Sequence, residues 1–356
     1  MKVGLVLGAG GVQGGAWLTG GLDALAREAG WDPASADYVV GTSAGSMLAA
    51  LLAAGVPPWF MVAHSAGETF AGADAAGRPA AEASRSGGAE YRVGGLRPPP
   101  ISPGSWRLVA RTLSRPDRHT PAALLTGWLP RGVLSTEALR EQVRRVVPSG
   151  SSEHPNLWIV ACDYATGRRV AFGRPGSPPA DLADAVAASC AIPGFYAPVE
   201  IGGRAYVDGG VYSASNLDLL RDEALDLVVC LNPTSTLHPL RALSPREWPR
   251  LVLHRQSGRR LGSEAKKVRA RGAEVVLVQP LAEDLRAMGL NLMSTRNRNR
   301  VIEVARRTVA DQLREPAHRE LLAGLPAGRP EKIERPAGPP ASRPPLADLR
   351  RALPSG

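Results

Sequence analysis

Five short runs, Val3–Leu7, Tyr38–Val40, Leu157–Ala161, Leu227–Leu231 and Glu274–Val278, are apolar through most of their length. A strand whose alternating side chains are apolar on both sides must be covered on both faces, and parallel strands flanked by helices meet that demand. Stretches with helical spacing lie between and after the runs, around residues 13–28, 44–54, 136–146, 180–189, 251–271 and 295–313. The alternation predicts an α/β layered fold with a mostly parallel sheet. In such a sheet, ligands and chemistry collect at the carboxyl ends of the strands.

With 356 residues, 44% of them hydrophobic and 21% charged, the chain is long enough for a full core and has the balance of a globular protein. Two segments break the pattern. Residues 67–130 are rich in Gly, Pro, Ser, Ala and Arg, include Pro98-Pro99-Pro100, and read as an insertion. The same composition returns over 315–356, where Pro336 to Pro345 can neither continue a helix nor join a sheet interior, and reads as a flexible tail. One domain is therefore expected over 1–314. The first strand-like run, Lys2 to Leu7, starts directly after Met1, so no leader peptide is expected, and no stretch is long and apolar enough to predict a membrane-spanning helix. Cys162, Cys190 and Cys230 are odd in number and widely spaced, which indicates neither a disulfide framework nor a zinc site and fits a reducing cytoplasm.

The formal charge is +10, and the excess is concentrated in places. Between Arg255 and Arg271, seven basic residues stand against the single acid Glu264. Such a run is first of all a solvated helix face, and second a surface that attracts anionic lipid head groups. It lacks interleaved aromatics and adjoins no nucleic-acid-binding motif, so no nucleic-acid partner is expected.

Two strand ends carry unusual sequences. Gly8-Ala9-Gly10-Gly11-Val12-Gln13-Gly14-Gly15 closes the first run and opens a helix, so unpaired amides there can stabilise an anion. The loop alone serves an oxyanion or a dinucleotide pyrophosphate equally well. Val39-Val40 leads into Gly41-Thr42-Ser43-Ala44-Gly45-Ser46 and then an apolar helix, a G-x-S-x-G motif in strand–turn–helix context. A tight turn there lifts the Ser43 hydroxyl out of the layer, while Gly41 and Gly45 remove side chains that would collide with neighbouring backbone. Ser43 is the candidate nucleophile; Ser46 reads as a helix-surface or back-bonded serine.

A serine nucleophile requires a base. His64, His119, His154, His238, His254 and His318 lie in or near the insertion, in loops, in the basic run or in the tail, and none follows a clear strand end. Pro198 to Ile201 and Arg204 to Val207 read as a hairpin that stops at Asp208-Gly209-Gly210. Taken alone, Asp208 is a turn aspartate.

The glycine loop, Gly41-Thr42-Ser43-Ala44-Gly45 and Asp208-Gly209-Gly210 occur in the order used by the patatin-like phospholipase family, and the chain resembles that family from Lys2 to Ala54 and again from about Leu134 to Leu313. Asp163-Tyr164-Ala165-Thr166-Gly167 and Ala188-Ser189-Cys190-Ala191-Ile192-Pro193-Gly194-Phe195 are similar to further family blocks. The resemblance implies a three-layer α/β/α fold and a Ser43–Asp208 dyad, with Gly10 and Gly11 amides as the oxyanion hole. It implies a phospholipid or other acyl-lipid substrate; no metal and no cofactor is expected, and the basic run leaves room for peripheral contact with an anionic membrane. The block at Asp163 reads as structural. Gln13 stands where the family often has Arg or Lys, and Ala9 replaces a glycine. A catalytically weak lipid-binding member is therefore an alternative, and a nucleotide-dependent oxidoreductase would explain the first loop but leave the other two motifs idle.

Overall fold

A computed structural model describes residues 1–66, 104–114, 121–236 and 248–326. The Pro98–Pro100 run, His119, His238 and residues 327–356 lie outside these, as do 67–103 and 115–120 of the expected insertion. The strands are β1 Val3–Leu7, β2 Tyr38–Thr42, β3 Leu157–Asp163, β4 Arg169–Phe172, β5 Val199–Ile201, β6 Arg204–Asp208, β7 Leu227–Leu231 and β8 Glu274–Val278. The helices are α1 Gly11–Ala29, α2 Ala44–Ala53, α3 Pro58–Ser65, α4 Trp106–Ser114, α5 Pro121–Trp128, α6 Glu137–Val146, α7 Leu182–Ser189, α8 Trp248–Arg269, α9 Ala282–Met288, α10 Arg298–Arg314 and α11 Pro316–Leu322.

All eight strands belong to one sheet. Its parallel part runs β3-β2-β1-β7-β8, so the order reverses at β1 and a crevice opens beyond the strand ends there. The five runs expected as strands are the five parallel strands. Along β1 the pleat sends Leu5 and Leu7 into one core with helices α1, α2, α7 and α10. Val6 points the other way, into a second core with Leu217–Leu220 and α8. The molecule is an α/β fold in which helices cover both faces of a central sheet.

β4, β5 and β6 are antiparallel additions, and their registers position the site. Ala161 of β3 pairs with Val170 of β4 and also with Asp208 of β6, so β4 and β6 lie on opposite edges of β3. Val160 pairs with Ala171 of β4 and with Thr42 of β2, so β2 also lies opposite β4. Strands β2 and β6 therefore share one edge of β3 and meet end to end, β2 stopping against Val160 and β6 against Ala161. Two chain segments far apart in sequence are brought tip to tip by pairing alone.

Short elements escaped the sequence pattern: β4, α3, α4, α5, α9 and α11 have too few turns or residues to show a period. Helix α7 begins at Leu182 rather than near 180 because the Asp181 carboxylate accepts from the amides of Ala183 and Asp184 as an N-cap. Helix α11 falls where composition suggests only a tail; Pro316 opens it and Leu322 buries against the core. Among the described residues, no helix is long and apolar enough to cross a membrane.

Candidate active site

Ser43 sits between β2 and α2 with φ 53 and ψ −122, a backbone conformation that L-residues rarely adopt. Its surroundings hold it there. The Ser43 amide donates to Ser189 Oγ at 2.8 Å, and Ser189 Oγ donates in turn to the Val160 carbonyl at 2.6 Å. Ser46 Oγ donates back to the Ser43 carbonyl at 2.6 Å, which makes Ser46 a buried, back-bonded residue rather than a surface one. The flanking glycines are steric requirements. A Cβ at Gly41 would lie 2.6 Å from Ser46 Cα, and one at Gly45 would overlap the Leu7 carbonyl of β1.

Asp208 ends β6 as the abutment of β2 and β6 demands, and its side chain accepts from the Gly210 amide at 2.7 Å. The Ser43 hydroxyl lies beside the same carboxylate and favours its charged form. Its amide donates to the Ala191 carbonyl at 2.9 Å, tying it to the end of α7. Ser43 is 4% exposed and Asp208 5%. Burial pushes the Asp208 carboxyl up from 3.8 to about 6, against the pull of the two donors, which favour its charged form. The result is a carboxylate that is ionised at neutral pH yet far more basic than a surface aspartate.

The glycine loop runs past this pair. Gly8 and Ala9 amides donate to the carbonyls of Leu231 and Ala214, and the Gln13 amide to Leu292. Between them the amides of Gly10 and Gly11 have no acceptor among the described residues, and Gly11, at φ 62, turns the chain into α1. Two unpaired N–H groups at a helix start can hold a developing oxyanion.

Gln13 is buried, and its Nε2 donates to the carbonyls of Ser294 at 2.7 Å and Arg296 at 2.5 Å. The side chain thus ties the glycine loop to the segment between α9 and α10. The other expectations resolve locally. Asp163 accepts from the amides of Ala165 and Thr166 and pairs with Arg204, so it shapes a turn. His154 and His318 bond to the backbone carbonyls of Ala36 and Gln312, and His64 stacks on Phe60. Burial first, and the Asp208 charge second, push the thiols of Cys162 and Cys190 up to about 12, so neither competes as a nucleophile. In the basic run, Arg260, Lys267 and Arg271 pair with Glu264, Asp218 and Asp222, and Arg269 donates to the Val275 carbonyl.

Sequence reasoning missed two supports of the site. Ser189 follows the apolar turn Ala185–Ala188, and a lone hydroxyl in such company was the available signal that it serves a buried partner. Asn216, in the left-handed conformation, donates to Thr42 Oγ1 at 3.1 Å and to the Ser213 carbonyl at 2.6 Å, fixing the end of β2 from below. Nothing in its local sequence marked it.

Comparison with known proteins adds two findings. A family model described as patatin-like phospholipase matches residues 5–221, from the start of β1 past Asp208. The crystal structure of VipD from Legionella pneumophila is 16% identical, with a TM-score of 0.41; the alignment covers 88% of this chain and 66% of that one, just under two thirds of its length.

Proposed function

Because the chain belongs to the patatin-like phospholipase family, we propose that it hydrolyses ester bonds of phospholipids or related acyl lipids through Ser43 and Asp208. The observation that carries the reading is the strained Ser43 elbow set beside a buried carboxylate raised to about 6, whose charged form the Ser43 hydroxyl favours. Asp208 takes the hydroxyl proton as Ser43 Oγ attacks the acyl carbonyl carbon. The carbonyl oxygen becomes an oxyanion, held by the Gly10 and Gly11 amides. These are fixed before the reaction begins, so they stabilise the transition state without reorganising. Collapse breaks the bond to the alcohol oxygen; the alcohol takes the proton from Asp208 and departs, and the acyl group stays on Ser43 Oγ. Water then gives its proton to Asp208, attacks the acyl carbon, and releases the fatty acid as the proton returns to Ser43.

No histidine enters this scheme. Gln13 does not supply the positive charge that the family often places beside the loop, but its side chain anchors the loop from the far side, and the amides need only their position. The buried free cysteines suit a reducing, cytoplasmic setting, and the lipid substrate calls for peripheral contact with an anionic membrane. The domain proposed for this activity spans 1–314 together with α11, with 67–130 as an insertion and the sequence after α11 as a tail.

A fluorophosphonate probe is expected to label the full chain and to leave Ser43→Ala unlabelled. Hydrolysis of a short aryl ester is expected to fall by roughly three to five orders of magnitude in Asp208→Asn, whose amide cannot accept the proton. Labelling that persists in Ser43→Ala would overturn the nucleophile. A wild-type chain that neither reacts with the probe nor cleaves esters, yet sediments with lipid vesicles, would instead support a lipid-binding role.

A further inference from the structure

Helices α4 and α5 form a pair beside the site whose outer face has the composition of a lipid-contacting surface. On α4, Leu108, Val109 and Thr112 turn inward, and Leu108 packs with Tyr164, Val207 and Val211. Helix α5 packs against the turn Gly209–Val211, which directly follows Asp208. The pair is therefore fixed to the strand-end side of the sheet, next to the carboxylate. Its outward stripe is not polar. Trp106 is 63% exposed and Leu113 61%, and with Ala110 they fall at i, i+4 and i+7 on one line of α4. On α5, Leu125 is 60% exposed and Trp128 49%; Trp128 meets Trp106 edge to face at 6.2 Å. Phe195, also exposed, continues the apolar rim: Gly194 beside it lies against Leu129, which follows α5.

These residues account for most of the exposed large hydrophobic side chains among the described residues. A cluster of that kind, two tryptophans included, marks an interaction surface. Its charge selects the partner. Arg107 and Arg111 form an exposed line next to the apolar stripe of α4. The described residues 104–114 and 121–136 carry Arg107, Arg111 and Arg131 and no acid. Tryptophans that sit well at the head-group level, leucines that reach the acyl boundary, and arginines that face anionic lipid are the parts of an interfacial helix surface. A second protein surface would have to bring both an apolar patch and an acidic one; an anionic bilayer presents both everywhere.

We propose that the outer faces of α4 and α5 are the membrane-docking surface, seating the chain on anionic lipid with the Asp208 side of the sheet toward the bilayer. This deepens the lipid-hydrolase reading and rests on it only for the purpose of the contact. It also places docking on α4 and α5 rather than on the basic run of α8, where several cations are already paired within the chain.

The test is vesicle sedimentation of the full chain, with vesicles of phosphatidylcholine alone or mixed with phosphatidylglycerol, alongside hydrolysis of a soluble short-chain ester. Wild type is expected to sediment with the mixed vesicles and to be released by raised salt. Trp106→Ser combined with Trp128→Ser is expected to weaken binding about tenfold or more. Arg107→Gln and Arg111→Gln are each expected to weaken it about fivefold on anionic vesicles only. Because all four side chains are exposed, these variants should unfold at the wild-type temperature and cleave the soluble ester at the wild-type rate. Variants that bind like wild type, or a wild type that ignores vesicles, overturn the proposal. So does a wild-type dimer that the tryptophan variant dissociates without any vesicle binding, since the face then joins two copies. Loss of the hydrolase reading looks different: vesicles bound through this face, but no ester cleaved.

Discussion

The proposed mechanism asks Asp208 to be a base in a place where charge is disfavoured, and both sides of that conflict are measurable. Its carboxyl is held near 6, so in the proposed mechanism kcat/KM should rise with pH along a limb of apparent pKa about 6 and level off above it. A limb near the ordinary carboxylate value would remove the buried group from the rate law. The same shift acts on stability. The folded state binds the Asp208 proton more tightly than the unfolded chain does, so below the unfolded value both states are protonated and no penalty exists. As pH rises through the window from 3.8 to about 6 the unfolded chain ionises first, and above it the folded state carries the full burden of a buried charge, of order 3 kcal/mol. Asp208→Asn should therefore melt higher than wild type at pH 7–8 while losing activity, and the advantage should vanish below pH ~4. Equal melting across that range would mean that the carboxylate is better solvated than its burial indicates.

At the scale of elements, the elbow joining β2 to α2 depends on the close approach of β1, because the Gly45 position lies against the Leu7 carbonyl. Gly45→Ala must push two backbones apart, so it is expected to destabilise the chain by at least about 3 kcal/mol, read as a lower urea midpoint with unchanged slope. A midpoint within error of wild type would show that β1 and the elbow do not touch as described. The motif announced this demand in the sequence, and so did the five parallel strands, since their apolar runs have one physical explanation. The glycines and the serine were legible because strain and close contact restrict residue type. Asp208 was legible only as a turn residue until its order in the chain was set beside the other motifs. Ser189 was legible only as a lone hydroxyl in an apolar turn, its partners Val160 and Ser43 lying 29 and 146 residues away; Asn216 and the Gln13 tie to Ser294 and Arg296 left no local mark, because they act on segments 174 to 283 residues away. Short elements such as α4 and α5 were hidden for another reason: two turns of helix inside Gly- and Pro-rich sequence show too little repetition.

For the whole molecule, the family match ends at 221, yet the sheet does not. Strands β7 and β8 and helix α10 complete the layers on the far side of β1, and the segment before α10 holds the glycine loop through Gln13. The core extends through α11, where Leu322 is buried and Arg314 just before it pairs with Glu28 of α1. A chain ending after residue 326 is expected to keep its melting temperature and ester hydrolysis. One ending after 314 should lose about 1.5–3 kcal/mol with the burial of Leu322. Equal stability of the two shortened chains would place the domain end at 314.

The abutment of β2 and β6 along one edge of β3 also orders events in time. A nascent polypeptide that has emerged only as far as β3 already carries Ser43, but the Asp208 that the proposed mechanism pairs with it is still some forty-five residues from being made. In the proposed mechanism the serine therefore has no base until that late hairpin docks along β3 beside the end of β2.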